Sequence, residues 1–474
     1  MLFKRSCKWR GQLFVWSNGD SGNPITYGNY GIGDNPIFDG SVPVTGWTAA
    51  VGSDLVYSSL LITNPAMVFF NDKLGIPVAS KDDLTSDGQY YWENNTLYVY
   101  SSADPNLKTI EASTIGAHQG LITAWSRSNI VVDGIYVRRS AGSGYKFDGT
   151  NGASNIELKN FKSDYSLYWG VLLFKTTHAN VHDGEIAHAA TGSYLTNGKA
   201  YGEGLRIDSG SYNKVWNTEG HNIWNIGLDL INRAHDNEIF GNVWHEISIP
   251  NNHAACFYSD NATRNYWHSN TAYNCDVGMS IASETAGSAS DYNTISYNLI
   301  YNNSQTGLFT GGVGGSSHNY YLNNTIYGNH AWSELLVNPT SSFETFKNNI
   351  FVETGNNPFG FQGTTGHILD YNLYYRTDNS DLIFDWNGIK NFADFKTADG
   401  GDTHSLRTNP MFIDPANGNF RLRAGSPAIN AGINVGLTSD FDGKTVPNAS
   451  APDIGAFEDS GSVRPSPPSE LVAY

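Results

Sequence analysis

The sequence predicts an all-β protein built as a coiled sheet, in which each turn of the chain stacks on the one before it. Three observations lead to this prediction: short apolar runs recur along the chain, asparagines recur with them, and no segment of about ten residues between them has the periodicity of an amphipathic helix. The composition agrees, because 50 glycines and an aromatic content of 13% are typical of short strands joined by tight turns.

The recurring asparagines fall into one column when the repeats between about Asn129 and Asn349 are aligned. Their separations are 28, 28, 26 and 25 residues. The members of this asparagine column are Asn242, Asn270, Asn298, Asn324 and Asn349. We expect them at the bends between strands, where left-handed backbone is needed, with their side-chain amides hydrogen-bonded up and down a ladder.

A second column of short strands precedes the asparagines in each repeat. These strands begin at Gly170, Gly204, Gly227, Cys256, Gly278 and Gly307. A repeat of 22–28 residues with two or three strands and no helix predicts a solenoid whose turns bury a continuous core. A leucine-rich repeat would need a Leu-x-x-Leu-x-Leu frame, and a propeller would need blades of about 40–50 residues, and the sequence has neither.

The two columns resemble those of the right-handed parallel β-helix proteins of the pectate-lyase-like type, over roughly residues 110–375. The resemblance implies a right-handed parallel β-helix with a small N-terminal β insertion and a C-terminal cap of strands and loops. The expected parts of the chain are opening coils at 1–40, an inserted β module at 41–110, the β-helix at 111–376, and a cap and tail at 377–474.

Composition and charge exclude several classes of protein. The formal net charge of −17 argues against nucleic-acid binding, which needs clustered cations. The sequence contains no run of about 18 apolar residues, so it predicts no membrane-spanning helix. Three cysteines are too few for a disulfide framework, and one of them must stay unpaired. No signal peptide is visible. The segments NPMFIDPANGNFRLRAGSPAINAG and APDIGAFE resemble the closing part of secreted bacterial β-helices, which implies a secreted, extracellular or periplasmic protein. The proline- and serine-rich tail SVRPSPPSE is typical of a linker.

The alternation of side chains along a strand divides the second column into inner and outer positions. Leu205, Ile207, Leu228, Leu230, Phe257, Ser259, Met279, Ile281 and Ser283 are predicted to point inward. The outer set is Arg206, Asp208, Asp229, Tyr258, Asp260, Ser280 and Glu284. Because neighbouring coils are about 4.8 Å apart, one solvent-facing surface should gather four carboxylates and an arginine. Like charges at such distances raise some pKa values, an arrangement typical of functional sites.

Asp260 and Glu284 are the predicted catalytic residues. They are 24 residues apart, about one coil, so their carboxyl groups are expected at about 5–6 Å, the retaining separation, or at the about 6.5–9.5 Å that suits inversion. Arg206 and Arg264 are expected to keep Asp260 ionised. The stretch CFYSDNATRN…YNCDVGMSIASE is also similar to the catalytic segment of the β-helical β-xylosidases, glycoside hydrolase family 120. That resemblance implies that Asp260 is the nucleophile and Glu284 the acid/base.

Six residues are predicted to bind substrate: Arg206, Asp208, Asp229, Tyr258, His245 and Trp224. His245 belongs to a second outer column that begins with His188 and continues through Tyr273, Tyr301 and Tyr327. Two roles are open for Trp169, Trp224, Trp244 and Trp267: they offer flat faces for sugar stacking, or they fill the bends of the solenoid. No clear carboxylate partner is expected for His178, His182 or His221.

These residues favour a carbohydrate-active hydrolase that cleaves a poly- or oligosaccharide and needs no cofactor. A polysaccharide lyase or uronate epimerase is the first alternative, with Arg206 as base and calcium held by Asp208, Asp229 and Asp260. The net acidic face disfavours an anionic substrate unless calcium is bound. The second alternative is a carbohydrate-binding or adhesin rod without catalysis, for which an outer face of serine, threonine and asparagine would be more typical.

Overall fold

The computed structural model describes residues 1–50, 52–191, 202–249, 254–355, 359–361, 366–386, 388–398 and 402–459. The chain divides into two compact units, Met1–Asn265 and Tyr266–Tyr474, which are described separately. The predicted linker at residues 462–470 lies outside the described residues. The described residues include a single α-helix, Phe392–Ala398, and dozens of strands. The predicted all-β class is therefore confirmed.

The first unit is a parallel β-solenoid with two kinds of sheet. One, here called the front sheet, has the strands Leu13–Val15, Gly120–Trp125, Ser143–Asp148, Val171–Phe174, Glu203–Asp208, Ile226–Ile231 and Ala255–Asp260. The other, here called the back sheet, has the strands Leu2–Lys4, Lys8–Arg10, Ile25–Tyr30, Ile37–Asp39, Ile130–Asp133, Tyr136–Ser140, Ile156–Ser166, Asn180–Ala187, Lys214–Ile223, Glu238–Phe240 and Val243–Ile247. Fully buried side chains such as Phe147, Leu173 and Leu230 fill the space between the sheets.

A small β module lies within the first unit. Its two sheets have the strands Ser41–Pro43, Val68–Phe70, Lys73–Leu74 and Ile110–Ser113, and Thr48–Ala49, Val56–Leu60, Ile76–Pro77, Gln89–Glu93 and Thr96–Tyr100. Short 3-10 turns cover Lys81–Asp83 and Pro105–Leu107. Arg139 joins the module to the solenoid, because its buried guanidinium pairs with Glu111 and Asp72 and packs 4.2 Å from the ring centre of Phe69. The boundaries 40/41 and 110/111 stay predictions.

The second unit is also a parallel β-solenoid. One group of its paired β-strands is Tyr266–His268, Thr271–Tyr273, Thr294–Ser296, Leu299–Tyr301, Tyr320–Leu322, Thr325–Tyr327, Thr345–Lys347, Ile350–Glu353, Ile368–Asp370, Leu373–Arg376 and Leu406–Arg407. Its other sheets are formed by Val277–Ala282, Thr306–Gly311, Ser333–Val337, Phe359–Phe361, Phe384–Trp386 and Ile389–Lys390, and by Ser290–Asp291, Ser316–Ser317 and Ser341–Ser342. The hairpin Phe412–Asp414 and Asn419–Leu422, with the 3-10 turn Pro415–Asn417 between its strands, packs Phe412 and Phe420 against Leu373 and Ile350.

The asparagine column is a buried hydrogen-bonded ladder. In the second unit the backbone N–H and the side-chain Nδ2 of Asn298 both donate to Oδ1 of Asn324, at 2.9 and 3.0 Å, and Asn324 repeats this pattern with Asn349. One part of the prediction is wrong: the left-handed residues are the ones just before these asparagines, such as Tyr297 with φ 53°. The bend residue and the ladder residue are separate because a side chain that points inward to the ladder needs ordinary strand backbone, whereas the corner needs positive φ.

Two more ladders of the second unit end on buried glutamates. Asn293 donates to Asn319, and the backbone N–H of Asn319 donates to Oε2 of Glu344 at 2.8 Å. Asn303 donates to Asn329, whose backbone N–H and Nδ2 donate to the two oxygens of Glu334. A carboxyl group suits this place because the last amide of a ladder needs an acceptor.

Removing a ladder amide should be costly. Asn298→Ala removes the oxygen to which the buried N–H and Nδ2 of Asn270 both donate, so we expect a loss of roughly 2–4 kcal/mol in the free energy of unfolding. The matched control is Asn417→Ala, an exposed asparagine of the same unit, which should cost less than about 0.5 kcal/mol. Equal effects of the two variants in urea unfolding would contradict a structural role for the ladder.

The ladder end at Glu344 should make stability depend on pH. Burial raises the pKa of the Glu344 carboxyl to about 7, although hydrogen bonds from Ser316, Asn319 and Thr310 lower it. Stability from this group is therefore fully present below about pH 4.5 and lost as the pH rises through about 7, by on the order of 3 kcal/mol. In Glu344→Gln the decline of the melting temperature between pH 4.5 and 7.5 should be smaller than in the wild type. Parallel pH curves for the two proteins would refute the assignment.

Candidate functional site

The front sheet brings five predicted site residues together on one outer face. The parallel register places Arg206, Asp229 and Tyr258 side by side on three neighbouring strands. Two residues further along, Asp208 and Asp260 flank Ile231 in the same way. The residues predicted to point inward in this unit are fully buried: Leu205, Ile207, Leu228, Leu230, Phe257 and Ser259. For these residues, alternation along the strands separated the core from the site.

The carboxyl groups of this face are buried, contrary to the prediction that they face solvent. Asp229 is only 2% exposed, and Asp208 and Asp260 are each 7% exposed. Larger side chains lie over the face: the guanidinium of Arg206 reaches across it, and the ring centre of Trp169 lies 5.7 Å from that guanidinium. The cluster is therefore a desolvated site, where charges interact more strongly than they do in water.

Arg206 is the centre of the cluster. Its Nη2 donates to Oδ2 of Asp208 at 2.9 Å, and its Nη1 donates to Oε1 of Glu203 at 3.3 Å. Asp208 also accepts hydrogen bonds from Oγ of Ser209 at 2.8 Å and from Nδ2 of Asn232 at 3.1 Å. These bonds fix the positions of the arginine and of one carboxylate, so the site is organised before any substrate arrives.

Glu203 is a member of the cluster that alternation along the strand missed. Alternation assigns it to the interior, yet it is bonded to Arg206 and accepts a hydrogen bond from Nε1 of Trp169. The reason is Gly204, where a Cβ atom would lie 2.4 Å from the ring of Trp244 and thus point inward, as Leu205 does. Two successive inward positions break the alternation and turn Glu203 outward. A glutamate directly before the glycine of the strand was the available signal.

The electrostatics of the cluster keep the arginine charged and favour a protonated glutamate. Burial raises the pKa of the Glu203 carboxyl, and the nearby Arg206 and the Trp169 hydrogen bond only partly offset this. Burial by itself lowers the pKa of Arg206, but the carboxylates of Glu203, Asp229 and Asp208 raise it above its usual value. The cluster thus holds a firm positive charge next to a glutamate whose pKa is raised by burial.

Two other predicted site residues lie elsewhere in the first unit. His245 is on the back sheet, level with His221 and not with His188, and its Nε2 lies 3.1 Å from a carboxylate oxygen of Glu219. The offset arises because His188 adopts left-handed backbone just beyond the end of its strand, whereas His221 lies within its own strand. Trp224 is half-buried at the corner between Lys214–Ile223 and Ile226–Ile231, so it is adjacent to the front sheet.

Several secondary expectations are corrected by the contacts. Trp244 and Trp267 are fully buried and therefore fill the core, whereas Trp169 belongs to the cluster. His182 does have carboxylate partners, Glu157 at 3.2 Å and Asp183 at 2.7 Å, because the back sheet carries acidic residues in the neighbouring positions. His221 likewise lies 3.4 Å from Glu185.

The expected support of Asp260 by Arg264 is also wrong. Arg264 is 53% exposed and forms a two-pronged ion pair with Asp236, through Nε at 3.0 Å and Nη2 at 2.9 Å. Its left-handed backbone, with φ 55°, places it at a corner of the solenoid. The side chain therefore serves the neighbouring coil at that corner.

Glu284 and Ser280 belong to the second unit. Ser280 is buried within the strand Val277–Ala282, and Glu284 follows two residues after the end of that strand as an exposed side chain. In the same unit the predicted column of Tyr273, Tyr301 and Tyr327 is confirmed by the strand register.

No grouping of three or more histidine, cysteine, aspartate and glutamate side chains suited to a metal ion occurs among the described residues. The positive charge at the carboxylates of the front sheet is supplied by Arg206. The described part of the chain also contains no helix with the length and apolar character needed to cross a bilayer.

The fold defines the class: the architecture is that of the parallel β-helix proteins, as the repeat predicted. The solved structure of XylC in complex with xylose has a TM-score of 0.58 at 13% identity, covering 96% of this chain and 92% of that one. A structure described as a glycoside hydrolase has a TM-score of 0.50 at 9% identity, covering 80% and 89%. At these identities the similarity concerns the fold.

One curated relative is similar in sequence. The uncharacterized protein YwoF of Bacillus subtilis (strain 168) is 29% identical over 172 residues, which cover 34% of this chain and 37% of the length of YwoF. No protein-family model matches the chain.

The role of Arg206 can be tested through stability. Arg206→Met leaves several buried carboxyl groups without their counter-charge, which should cost about 3–5 kcal/mol of unfolding free energy at pH 8. The loss should be smaller at pH 5, because the Glu203 carboxyl, whose pKa is raised by burial, is then more fully protonated. Arg264→Met, which breaks an exposed pair in the same unit, should cost no more than about 1 kcal/mol at either pH. Denaturant unfolding at both pH values measures the difference, and a small, pH-independent loss in Arg206→Met would mean that the cluster does not depend on the arginine.

Proposed function

We propose that the chain is a glycoside hydrolase that cleaves a neutral poly- or oligosaccharide at the front-sheet cluster. The observation that carries this proposal is the desolvated arrangement of Glu203, Asp208, Asp229 and Asp260 with Arg206 on one outer face. Glycoside hydrolysis needs one ionised and one protonated carboxyl group, and such an environment separates the pKa values of neighbouring acids.

In this proposal Asp260 attacks the anomeric carbon, or activates a water molecule for that attack, and Glu284 protonates the leaving oxygen. Asp208 and Asp229 hydrogen-bond sugar hydroxyls, while Tyr258 and Trp224 contribute flat apolar surface. Arg206 orients the carboxylates and keeps its positive charge throughout the reaction. His245 lies on the back sheet and has no part in this mechanism.

Elimination by a lyase receives less support from the cluster. The arginine of such a mechanism would have to lose its proton to act as base, yet the surrounding carboxylates raise the pKa of Arg206. The same carboxylates would repel a uronate chain unless a cation intervened. Calcium bound by Asp208, Asp229 and Asp260 would have to compete with Arg206 for Asp208.

Substitution of the two reactive carboxyl groups tests the proposal. Asp260→Asn and Glu284→Gln should each lower kcat by about 10³-fold or more, and Glu284→Gln should retain most activity on substrates with good leaving groups, which need little proton donation. Asp236→Asn is the matched control, since it makes the same isosteric change in a carboxylate that pairs with Arg264 at a corner. Near-wild-type activity of both catalytic variants on a confirmed substrate would place the reaction elsewhere.

The class of reaction is distinguished by the products. A hydrolase creates new reducing ends without ultraviolet absorbance, whereas a lyase creates an unsaturated, absorbing product, and a binding rod creates neither. Activity that is abolished by EDTA and restored by calcium would favour the lyase. Because polymeric glycans of this kind are met outside the cell, the proposal includes a secreted or periplasmic location, to be checked by cell fractionation.

A further inference from the structure

Three aromatic side chains form an exposed cluster at one end of the front sheet. Trp16 is 67% exposed and Trp125 is 41% exposed. Phe14 lies between them, with its ring centre 5.5 Å from that of Trp16 and 6.2 Å from that of Trp125. We call Phe14, Trp16 and Trp125 the aromatic platform. Single exposed apolar residues are ordinary, but two exposed tryptophans joined through the ring of Phe14 indicate a binding surface.

The register ties the platform to the carboxyl cluster. Trp125 is level with Asp148, then with Phe174, and then with Asp208 on successive strands of the front sheet. Residues at matching positions of parallel strands point to the same side, so Trp125 shares its face with the cluster. Three strand steps separate Trp125 from Asp208, which amounts to about 14 Å. Two more steps lead to Asp260, about 24 Å from Trp125.

We infer that the aromatic platform is a distal subsite for a neutral glycan chain that extends along the front sheet from the carboxyl cluster. Indole and phenyl faces pack against the apolar faces of pyranose rings, and half-buried Phe174 provides a further contact on the way. A chain of about five sugar units would reach from Asp260 to Trp125, since a sugar unit advances about as far as one strand step. The acidic cluster and the formal net charge of −17 favour a neutral polymer over a polyanion.

This inference rests on the proposed function for the position of the reacting end, and it adds a preference for long substrates. A platform about 24 Å from Asp260 contributes nothing to the binding of a disaccharide held at the carboxyl groups. It contributes fully to a chain of about five units or more, which reaches from Asp260 to Trp125. The enzyme should therefore bind polymers and long oligosaccharides more tightly than short ones, with the difference carried by Trp16 and Trp125.

Binding measured without turnover tests the platform. In Asp260→Asn protein, affinity electrophoresis through arabinoxylan, glucomannan, mixed-linkage glucan and arabinan should show retardation by at least one polymer. Adding Trp16→Ala and Trp125→Ala should weaken that binding about tenfold or more, while Trp16→Phe with Trp125→Phe should retain most of it. Tyr30→Ala is the matched control, because Tyr30 is 51% exposed on the back sheet of the same unit. The melting temperature of each variant verifies folding.

Retardation that survives the double alanine variant, or absence of retardation by every polymer, overturns the inference. A change of oligomeric state in the double variant, seen by sedimentation, would show instead that the platform contacts a second copy of the chain, and it would also overturn the inference. If platform-dependent binding is found but the wild-type protein releases no product from the bound polymer, the proposed hydrolysis fails while the glycan subsite stands.

Discussion

The constraint on which the structure depends is the in-register stacking of parallel coils. Because each strand is hydrogen-bonded to the equivalent strand of the next coil, a residue's neighbours are the residues at the same position one repeat earlier and later. This produces the buried asparagine ladders, in which each amide donates to the next. It also produces the site, because side chains that are a full repeat apart in the sequence become adjacent on one face.

The same constraint gives the site its electrical character. A column of like charges on neighbouring strands would repel, and the front sheet avoids this by placing Arg206 among three carboxyl groups. Trp169 and the arginine itself then exclude water from the group. Hydrogen bonds from Ser209 and Asn232 offset part of the cost of burying the Asp208 carboxylate.

The sequence correctly predicted the features that depend on the length of the repeat and on the alternation of side chains along a strand. The spacing of asparagines predicted the solenoid, and alternation placed Arg206 and Asp229 on one face, because both properties are set by the backbone repeat alone. What depends on side-chain packing could not be predicted in this way. The burial of Asp229 depends on the reach of larger side chains, and Glu203 was missed because Gly204 breaks the alternation. Likewise, the partner of Arg264 is decided by the geometry of a corner.

The glutamates that end two of the ladders have a consequence for how such a chain can change length. Each ladder has a direction, since every asparagine donates to the side-chain oxygen of the next ladder residue on its C-terminal side and its own side-chain oxygen accepts from the previous one, until Glu334 or Glu344 provides a last acceptor. A duplicated or deleted coil between the ends leaves every remaining amide with a donor and an acceptor. An insertion of one residue shifts the register of the ladder, so that one amide on each side of the insertion loses its ladder partner. Molecules of this kind therefore lengthen or shorten in whole coils, and the glutamate that accepts the last hydrogen bond stays unchanged in the last coil of the ladder.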